Sequence, residues 1–133
     1  MARWLLQWNP NRWEPGGQPI TNWKVSRYLD ELQPGEVVVL WRGGKDPGIC
    51  GIYRTTGPVE KVQEPKNQEE IDLNVRYWLP IQEIRRFFIP KADLVTDPRF
   101  ADHDIVNNPR HRQPNPFRLT DEQWEAIAHR MVG

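Results

Sequence analysis

The chain has 133 residues, and its 18 basic and 18 acidic side chains cancel to a formal net charge of zero. This length is enough for one domain with a core of its own, while the charge balance excludes a global field that attracts nucleic acid or an anionic membrane. A single cysteine, Cys50, excludes an intrachain disulfide and favours a reducing compartment.

The N-terminal third is predicted to contain a strand and a helix. Residues 3–8 (RWLLQW) form a short strand that ends at the turn former Asn9-Pro10. The apolar run of three residues before Gln7 is too short for a secretory signal or a membrane span. We therefore expect a cytoplasmic protein with no membrane partner. After a loop over 14–21, apolar residues recur at helical intervals from Asn22 and predict a helix that ends at Pro34-Gly35.

The middle of the chain is predicted to form strands. Residues 36–41 (EVVVLW) are a β-branched run typical of a strand that is covered on both faces. The glycine-rich segment 42–48 predicts a turn, and 48–54 a second strand in which Gly51 marks a bulge or a close backbone approach. Strict alternation over 71–79 predicts a half-buried strand.

The C-terminal part is predicted to be mainly turns and one helix. Residues 81–90 are ambiguous but compatible with a strand, 91–97 predict a short helical turn, and 107–118 an extended loop. Thr120 and Gln123 have the spacing of a capping box at the start of a helix over 120–131. We therefore predict an α+β fold, a small β-barrel or curled sheet with peripheral helices, in one domain over 1–133.

Tryptophan is unusually frequent, with seven residues, four of them within the first 23 positions. Indole fills cores, binds cations and stacks on nucleobases. Trp4, in the first strand, and Trp124, on the apolar face of the last helix, are predicted to be core residues. Trp13 and Trp23 bracket a loop, and Trp41 lies where a strand opens into the glycine-rich turn.

This turn and its tryptophans form the strongest candidate site. Gly43, Gly44 and Gly48 let backbone approach a ligand closely, and Arg42 lies beside Trp41. Such a rim suits a flat, polar, aromatic ligand. The structural alternative is that Gly43-Gly44 makes a hairpin and Trp41 closes the end of a barrel.

A second candidate is a basic, proline-rich segment. Its cations suit phosphate contacts, which need charge and reach but little shape, and are Arg110, His111, Arg112 and Arg118. The alternative is a solvated loop that balances the acidic pair Glu69-Glu70.

Catalytic and metal-binding motifs are weak. The three histidines have no metal-ligand spacing with one another or with Cys50, so we expect neither a metal nor a cofactor. His103 between Asp102 and Asp104 is typical of a surface cap or ion pair. Cys50, between Ile49 and Gly51, is typical of a buried small residue.

The ordered combination of these segments resembles an EVE domain of the PUA-like superfamily. The resemblance is carried by RWLLQWNPNRW, then NWKVSRYLDELQPGEVVVLWRGGKDPGICGIYRTTGPV, and then PFRLTDEQWEAI. It implies a curled sheet with an aromatic pocket for one flipped-out base, as in related YTH domains that recognise modified bases. Carried over by position, the resemblance implies ligand contacts at Asn9, Trp13, Trp23, Trp41, Arg42, Gly43, Gly44, Gly48 and Ile49.

The function that follows is a non-catalytic module that binds DNA or RNA carrying a modified base, with a separate effector protein as a possible partner. One alternative is a hydrolase or nuclease similar to ASCH domains, for which Lys45, Thr55 and Glu60 are the nearest candidates. The other is a protein-interaction scaffold with surface tryptophans as anchors. Tryptophans facing a concave pocket favour the first interpretation, and tryptophans on a convex face the last.

Overall fold

The computed structural model describes residues 2–8, 20–61, 77–107 and 115–131, with the side chains of Asp104 and Asn107 excepted. The strands are β1 Arg3–Trp8, β2 Asn22–Val25, β3 Val37–Arg42, β4 Gly48–Thr55, β5 Glu60–Lys61, β6 Tyr77–Pro90 and β7 Phe117–Leu119. The helices are α1 Lys91–Val95, a 3₁₀ helix Pro98–Phe100, α2 Asp104–Asn107 and α3 Asp121–Met131.

The seven strands of the described residues belong to one mixed sheet in the order β2-β6-β4-β3-β1-β7, with β5 also paired to β6. β1 runs parallel to β3 and antiparallel to β7, and the other pairs are antiparallel. The sheet curls, and the short helices lie at its periphery. This is the predicted α+β architecture.

The sheet separates two hydrophobic clusters because successive side chains of a strand point to opposite faces. On β3, Val39 and Trp41 belong to the larger cluster, here cluster 1, which also contains Phe100 and Ile127. Cluster 2 is the group around Trp4 on the opposite face. Its other buried members are Leu6, Ile20, Val25, Leu32, Val38, Leu40, Tyr53, Leu79 and Ile81.

Several local predictions are confirmed. The first strand has the predicted bounds, and β3 is buried along its central residues on both faces. At Gly51 the register between β4 and β6 shifts, and an added Cβ would lie 3.2 Å from the Arg85 carbonyl oxygen. The capping box is also present: the Gln123 N–H donates to Thr120 Oγ1 at 3.1 Å, and the Thr120 N–H to Gln123 Oε1 at 2.9 Å.

The predicted helix from Asn22 is wrong. Residues Asn22–Val25 form β2, which pairs antiparallel with the start of β6, and a turn follows. Tyr28 has a φ of 54°, a left-handed conformation that a right-handed helix does not contain. Apolar spacing alone did not distinguish a helix from a short strand followed by a tight turn.

Two other boundaries differ or lie outside the described residues. Of the strand predicted over 71–79, residues 71–76 lie outside, and the remainder begins β6, which continues to Pro90. The loop predicted over 107–118 overlaps α2 at its start and β7 at its end, because Phe117 and Arg118 pair with β1. Residues 108–114 lie outside the described part of the chain.

The buried face of α3 is rotated from the one predicted. Gln123, Ala126 and Ile127 are buried, whereas Trp124 is half-buried and packs against the margin of cluster 1. The guanidinium carbon of Arg3 lies 5.7 Å from the Trp124 ring centroid. Trp124 is therefore an amphipathic contact at the surface rather than a core residue.

A buried carboxylate fixes α3 to the segment that precedes the 3₁₀ helix. Asp97 Oδ2 accepts from Arg99 Nη2 at 2.8 Å and from Arg130 Nη2 at 3.2 Å, and its Oδ1 accepts from the Arg99 N–H at 3.0 Å. Hydrogen bonds from Arg99 hold the pKa of the Asp97 carboxyl well below its usual range.

We expect Asp97→Asn to lower the free energy of unfolding at neutral pH by about 1–3 kcal/mol, because charge-assisted hydrogen bonds are lost. A depressed folded-state pKa stabilises the protein above the unfolded pKa of about 4, and this contribution is lost as pH falls further. Denaturant unfolding from neutral to acidic pH would therefore show the difference between parent and variant narrowing below about pH 4. A difference that is constant with pH would contradict this role.

Candidate nucleic-acid interface

The structure places Trp23 and Trp41 on opposite faces of the sheet. Trp23 lies in β2 opposite Leu79 of β6, is half-buried, and packs against cluster 2. Trp41 is 3% exposed in cluster 1. The two indoles are therefore not brought together, and the expectation that they line one cavity is wrong because strand alternation turns Trp41 into the opposite core.

Packing accounts for most of the glycine-rich turn. The Gly43 N–H donates to the Trp8 carbonyl at 2.7 Å, and Gly44 has a φ of 74°, which glycine adopts without strain. A Cβ at Gly48 would lie 2.3 Å from the Ile89 carbonyl oxygen, so β6 fills the space that glycine leaves. Ile49 is fully buried in cluster 1. At this turn the structural alternative accounts for Gly43, Gly48 and Ile49.

Arg42 lies beside a tryptophan that the sequence analysis did not select. Its guanidinium carbon is 6.0 Å from the Trp8 ring centroid, and its Nε is buried with no hydrogen-bond partner among the described residues. Trp8 is half-buried and packs against cluster 2, as Trp23 does. The alternation of Trp4, Leu6 and Trp8 along one face of β1 was the signal that places Trp8 at the open end of that strand.

The basic segment is described only in part. Asn9, Trp13, Arg110, His111 and Arg112 lie outside the described residues, so their predicted contacts stay predictions. Arg118 lies in β7 with an exposed side chain that forms an ion pair with Glu31. Its guanidinium carbon is 4.5 Å from the Tyr28 ring centroid and 5.5 Å from that of Trp4.

Next to Arg118 is an open cavity of about 280 Å³, here called the arginine cleft. Its lining residues are Arg27, Tyr28, Asp102, His103, Phe117, Arg118, Thr120 and Gln123. Arg27 was not predicted as a site residue, because the helix predicted from Asn22 would not bring its side chain to β7. In the structure its backbone N–H donates to the Asn115 carbonyl, and its Nη2 donates to the Pro116 carbonyl at 2.9 Å.

His103, predicted to be a surface cap or part of an ion pair, is buried and so is not at the surface. Its Nδ1 accepts from the Ile105 backbone N–H at 3.2 Å, and its ring lies 6.1 Å from Phe100 and 6.4 Å from Phe117 between centroids. Contacts with two aromatic rings thus place His103 in the wall of the arginine cleft. The sequence did not indicate these contacts, because the flanking Asp residues are typical of a surface position.

The residues considered for hydrolysis are not assembled into a site. Thr55 is buried, and its hydroxyl is used by the Gln33 carbonyl and the Glu36 N–H. Thr55 is the last residue of β4, whose length is about 23 Å at the rise of a strand, and Lys45 lies in the turn before the first residue of that strand. Glu60 is exposed on β5. Within the described ranges, no group of His, Cys, Asp and Glu has the geometry of a metal site, and no helix is long and apolar enough to span a membrane.

The Cys50 thiol is expected to react slowly with alkylating reagents. Burial raises the pKa of its thiol to about 11, and its Sγ lies 3.5 Å from the Leu40 carbonyl. We expect iodoacetamide at pH 8 to alkylate the folded protein many times more slowly than the urea-unfolded chain, because only the thiolate reacts. Mass spectrometry over a time course measures both rates, and equal rates would contradict the assignment.

Comparison with solved structures shows what this architecture is. A crystal structure of a protein from Pseudomonas putida is 18% identical, with a TM-score of 0.76 over 96% of this chain and 98% of that one. Human THYN1, solved in complex with DNA containing 5-methylcytosine, is 19% identical, with a TM-score of 0.70 over 100% of this chain and 99% of that one. The chain shares the fold of these proteins, in agreement with the curled α+β sheet that the resemblance to EVE domains implied.

Other comparisons limit what the shared fold implies about function. The YTH domain of Zygosaccharomyces rouxii MRB1, solved with N6-methyladenosine RNA, is 11% identical, with a TM-score of 0.56 over 96% of this chain and 84% of that one. No family model matches the sequence, and no curated protein matches it. The fold is therefore shared with these proteins at a level of sequence identity that leaves function to be argued from the residues.

Proposed function

We propose that this EVE-like domain is a non-catalytic module that binds DNA or RNA carrying a modified base. The observation that carries the proposal is the fold shared with two domains solved with methylated nucleic acid, one with 5-methylcytosine DNA and one with N6-methyladenosine RNA. The balanced net charge restricts binding to local patches. In the cell, we propose a cytoplasmic location and a separate effector protein that acts on the bound nucleic acid.

The base, turned out of its strand, stacks on Trp23 at the margin of cluster 2. Trp23 is half-buried, so one part of its indole is held by the core while another part is accessible. Trp8 packs against the same cluster, with Arg42 beside it, and Asn9 and Trp13 follow it in sequence. Stacking contributes about 1–3 kcal/mol per base. The proposed site therefore includes Trp8 and does not include Trp41.

The described tryptophans support this proposal over a protein-interaction scaffold. Trp4 and Trp41 are buried, and Trp8, Trp23, Trp78 and Trp124 are half-buried, so none of these six presents most of its indole to solvent. Among the described residues, the exposed large hydrophobic side chains are instead Ile84, Phe88 and Val95. A scaffold that used tryptophan anchors would present them on a convex surface.

The deciding experiment is a binding panel of oligonucleotides with single 5-methylcytosine or N6-methyladenine substitutions and their unmodified counterparts. Each is tested single-stranded and in duplex, as DNA and as RNA, by fluorescence anisotropy at fixed salt. The proposal expects at least one modified oligonucleotide to bind about tenfold more tightly than its counterpart, the contribution of one good base contact. Equal affinity for every modified and unmodified pair would reject a modified-base module.

Phosphate contacts are proposed for Arg110, His111, Arg112 and Arg118. We expect Arg110→Ala and Arg112→Ala to weaken binding to all oligonucleotides alike, because phosphates carry no base information. The slope of log affinity against log salt would fall by about 0.7–0.9 per lost contact. Titrations at several salt concentrations measure this slope, and a loss confined to one modified base would contradict the assignment.

A further inference from the structure

The arginine cleft contains a guanidinium held in place on three sides. The guanidinium carbon of Arg27 lies 4.9 Å from the Phe117 ring centroid and 5.1 Å from that of Tyr28, and its Nη2 donates to the Pro116 carbonyl. A fixed guanidinium loses little side-chain entropy when it binds a ligand. Arg27 is therefore preorganised beside the cavity.

Arg118 supplies a second guanidinium on the same ring. Tyr28 contacts both cations, with Arg118 at 4.5 Å and Arg27 at 5.1 Å from its centroid. The tyrosine backbone is left-handed, at a φ of 54°, which a bulky residue adopts only where the surrounding structure imposes it. The partner of Arg118 is Glu31 in an exposed ion pair, and such pairs contribute little, so an incoming anion exchanges with Glu31 at small cost.

The shape and chemistry of the cleft suit a phosphate. Its volume of about 280 Å³ accommodates a tetrahedral anion with part of its chain, and it is open to solvent. Guanidinium groups bind phosphate oxygens in a bidentate manner. Asp102 is the opposing acidic group in the lining, and the two arginines outnumber it. Thr120 and Gln123 are engaged with each other in the capping box, so the start of α3 is not needed for binding.

We propose that the arginine cleft binds one backbone phosphate of the nucleic acid, with Arg27 and Arg118 as its ligands. The site rests on the proposed function and gives it a second point of attachment. A phosphodiester is favoured over a free phosphate because an open cleft lets a strand enter and leave. Arg27 is the residue that distinguishes this site from a diffuse basic loop.

The test is a coupling measurement with oligonucleotides in which one phosphate at a time is replaced by a neutral methylphosphonate. In the parent protein, neutralising the phosphate that occupies the cleft weakens binding by about tenfold, as expected for one charge-assisted contact. In Arg27→Gln and Arg118→Gln, neutralising that same phosphate has little further effect, while every other position behaves as in the parent. Arg118→Lys keeps the charge but not the fork and is expected to retain part of the coupling.

A matched control is Arg85→Gln. Arg85 is exposed and donates to the carbonyl of Met131 at the far end of α3, about 12 Å along the helix from Gln123. Its loss removes one positive charge without touching the cleft, so the sensitive phosphate is expected to remain sensitive. Thermal melting of each variant shows whether it is folded before its affinity is interpreted.

The outcomes separate this proposal from the proposed function. If the sensitive phosphate stays equally sensitive in Arg27→Gln and Arg118→Gln, the cleft does not hold it and the proposal is overturned. The ratio of affinities for modified and unmodified oligonucleotides reports independently on the proposed function. A titration with inorganic phosphate tests the cleft without nucleic acid. The chemical shifts of the backbone amides of Arg27, Tyr28 and Arg118 are measured by NMR at each phosphate concentration. Shifts with free phosphate but no coupling to any phosphodiester overturn the nucleic-acid assignment, and no shifts with no coupling overturn the site.

Discussion

Replacing Trp4 by alanine lowers the free energy of unfolding by about 3–5 kcal/mol, the range for large aromatic residues removed from a core. Trp4 is fully buried in cluster 2, and its Nε1–H donates to Glu36 Oε1 at 3.1 Å. The substitution opens a cavity and also removes a donor from a buried carboxylate, which accepts from the Gln33 N–H as well. Urea unfolding followed by circular dichroism measures the loss.

Trp124→Ala is the matched control for Trp4. The same side chain is removed, but Trp124 is half-buried and its contact with Arg3 lies at the surface. We expect a clearly smaller loss of stability than for Trp4. An equal loss in the two variants would show that the division between core and surface tryptophans is wrong.

Replacing Trp23 by alanine removes the preference for a modified base. Because stacking contributes about 1–3 kcal/mol, the affinity for the preferred oligonucleotide is expected to fall about 5- to 150-fold. Weak, salt-sensitive binding remains through the phosphate contacts, which do not depend on the base. Fluorescence anisotropy with the preferred oligonucleotide and its unmodified counterpart measures both quantities.

Two controls protect the interpretation of Trp23. Trp23 also packs against cluster 2, so the variant is compared with the parent by thermal melting under the conditions of the binding assay. Trp41→Phe removes indole from the opposite face, where the ring is enclosed by cluster 1, and is expected to leave selectivity unchanged. Selectivity that persists in Trp23→Ala and is lost in Trp41→Phe would reverse the assignment of the two tryptophans.

The strands were predictable where burial and alternation agreed. β3 is a continuous apolar run because both of its faces are covered, and β1 ends where Asn9-Pro10 begins. The Thr120–Gln123 capping box marked the start of α3 because its hydrogen bonds are local. β2 was missed because four residues followed by a left-handed Tyr28 produce an apolar spacing that also fits a helix.

The candidate site was less predictable because its geometry depends on which face of a strand each residue occupies. Trp41 looked exposed beside a glycine-rich turn, yet the parity of β3 places it with Val39 in cluster 1. Gly48 suggested room for a ligand, but the space is taken by the backbone of β6. The arginine cleft joins Arg27 to residues about 90 positions later, and no local pattern records such a contact.

The position of β1 in the sheet has a consequence for how the protein folds. β1 lies between β3 and β7, and its pairing of Arg3 with Leu119 joins residues that are 116 positions apart in the sequence (119 − 3). During synthesis, the edge of β1 that pairs with β7 therefore stays open until β7 has left the ribosome. Because strands far apart in the sequence must pair before the sheet is complete, we expect folding in milliseconds to seconds. Until then, the nascent chain needs protection from aggregation.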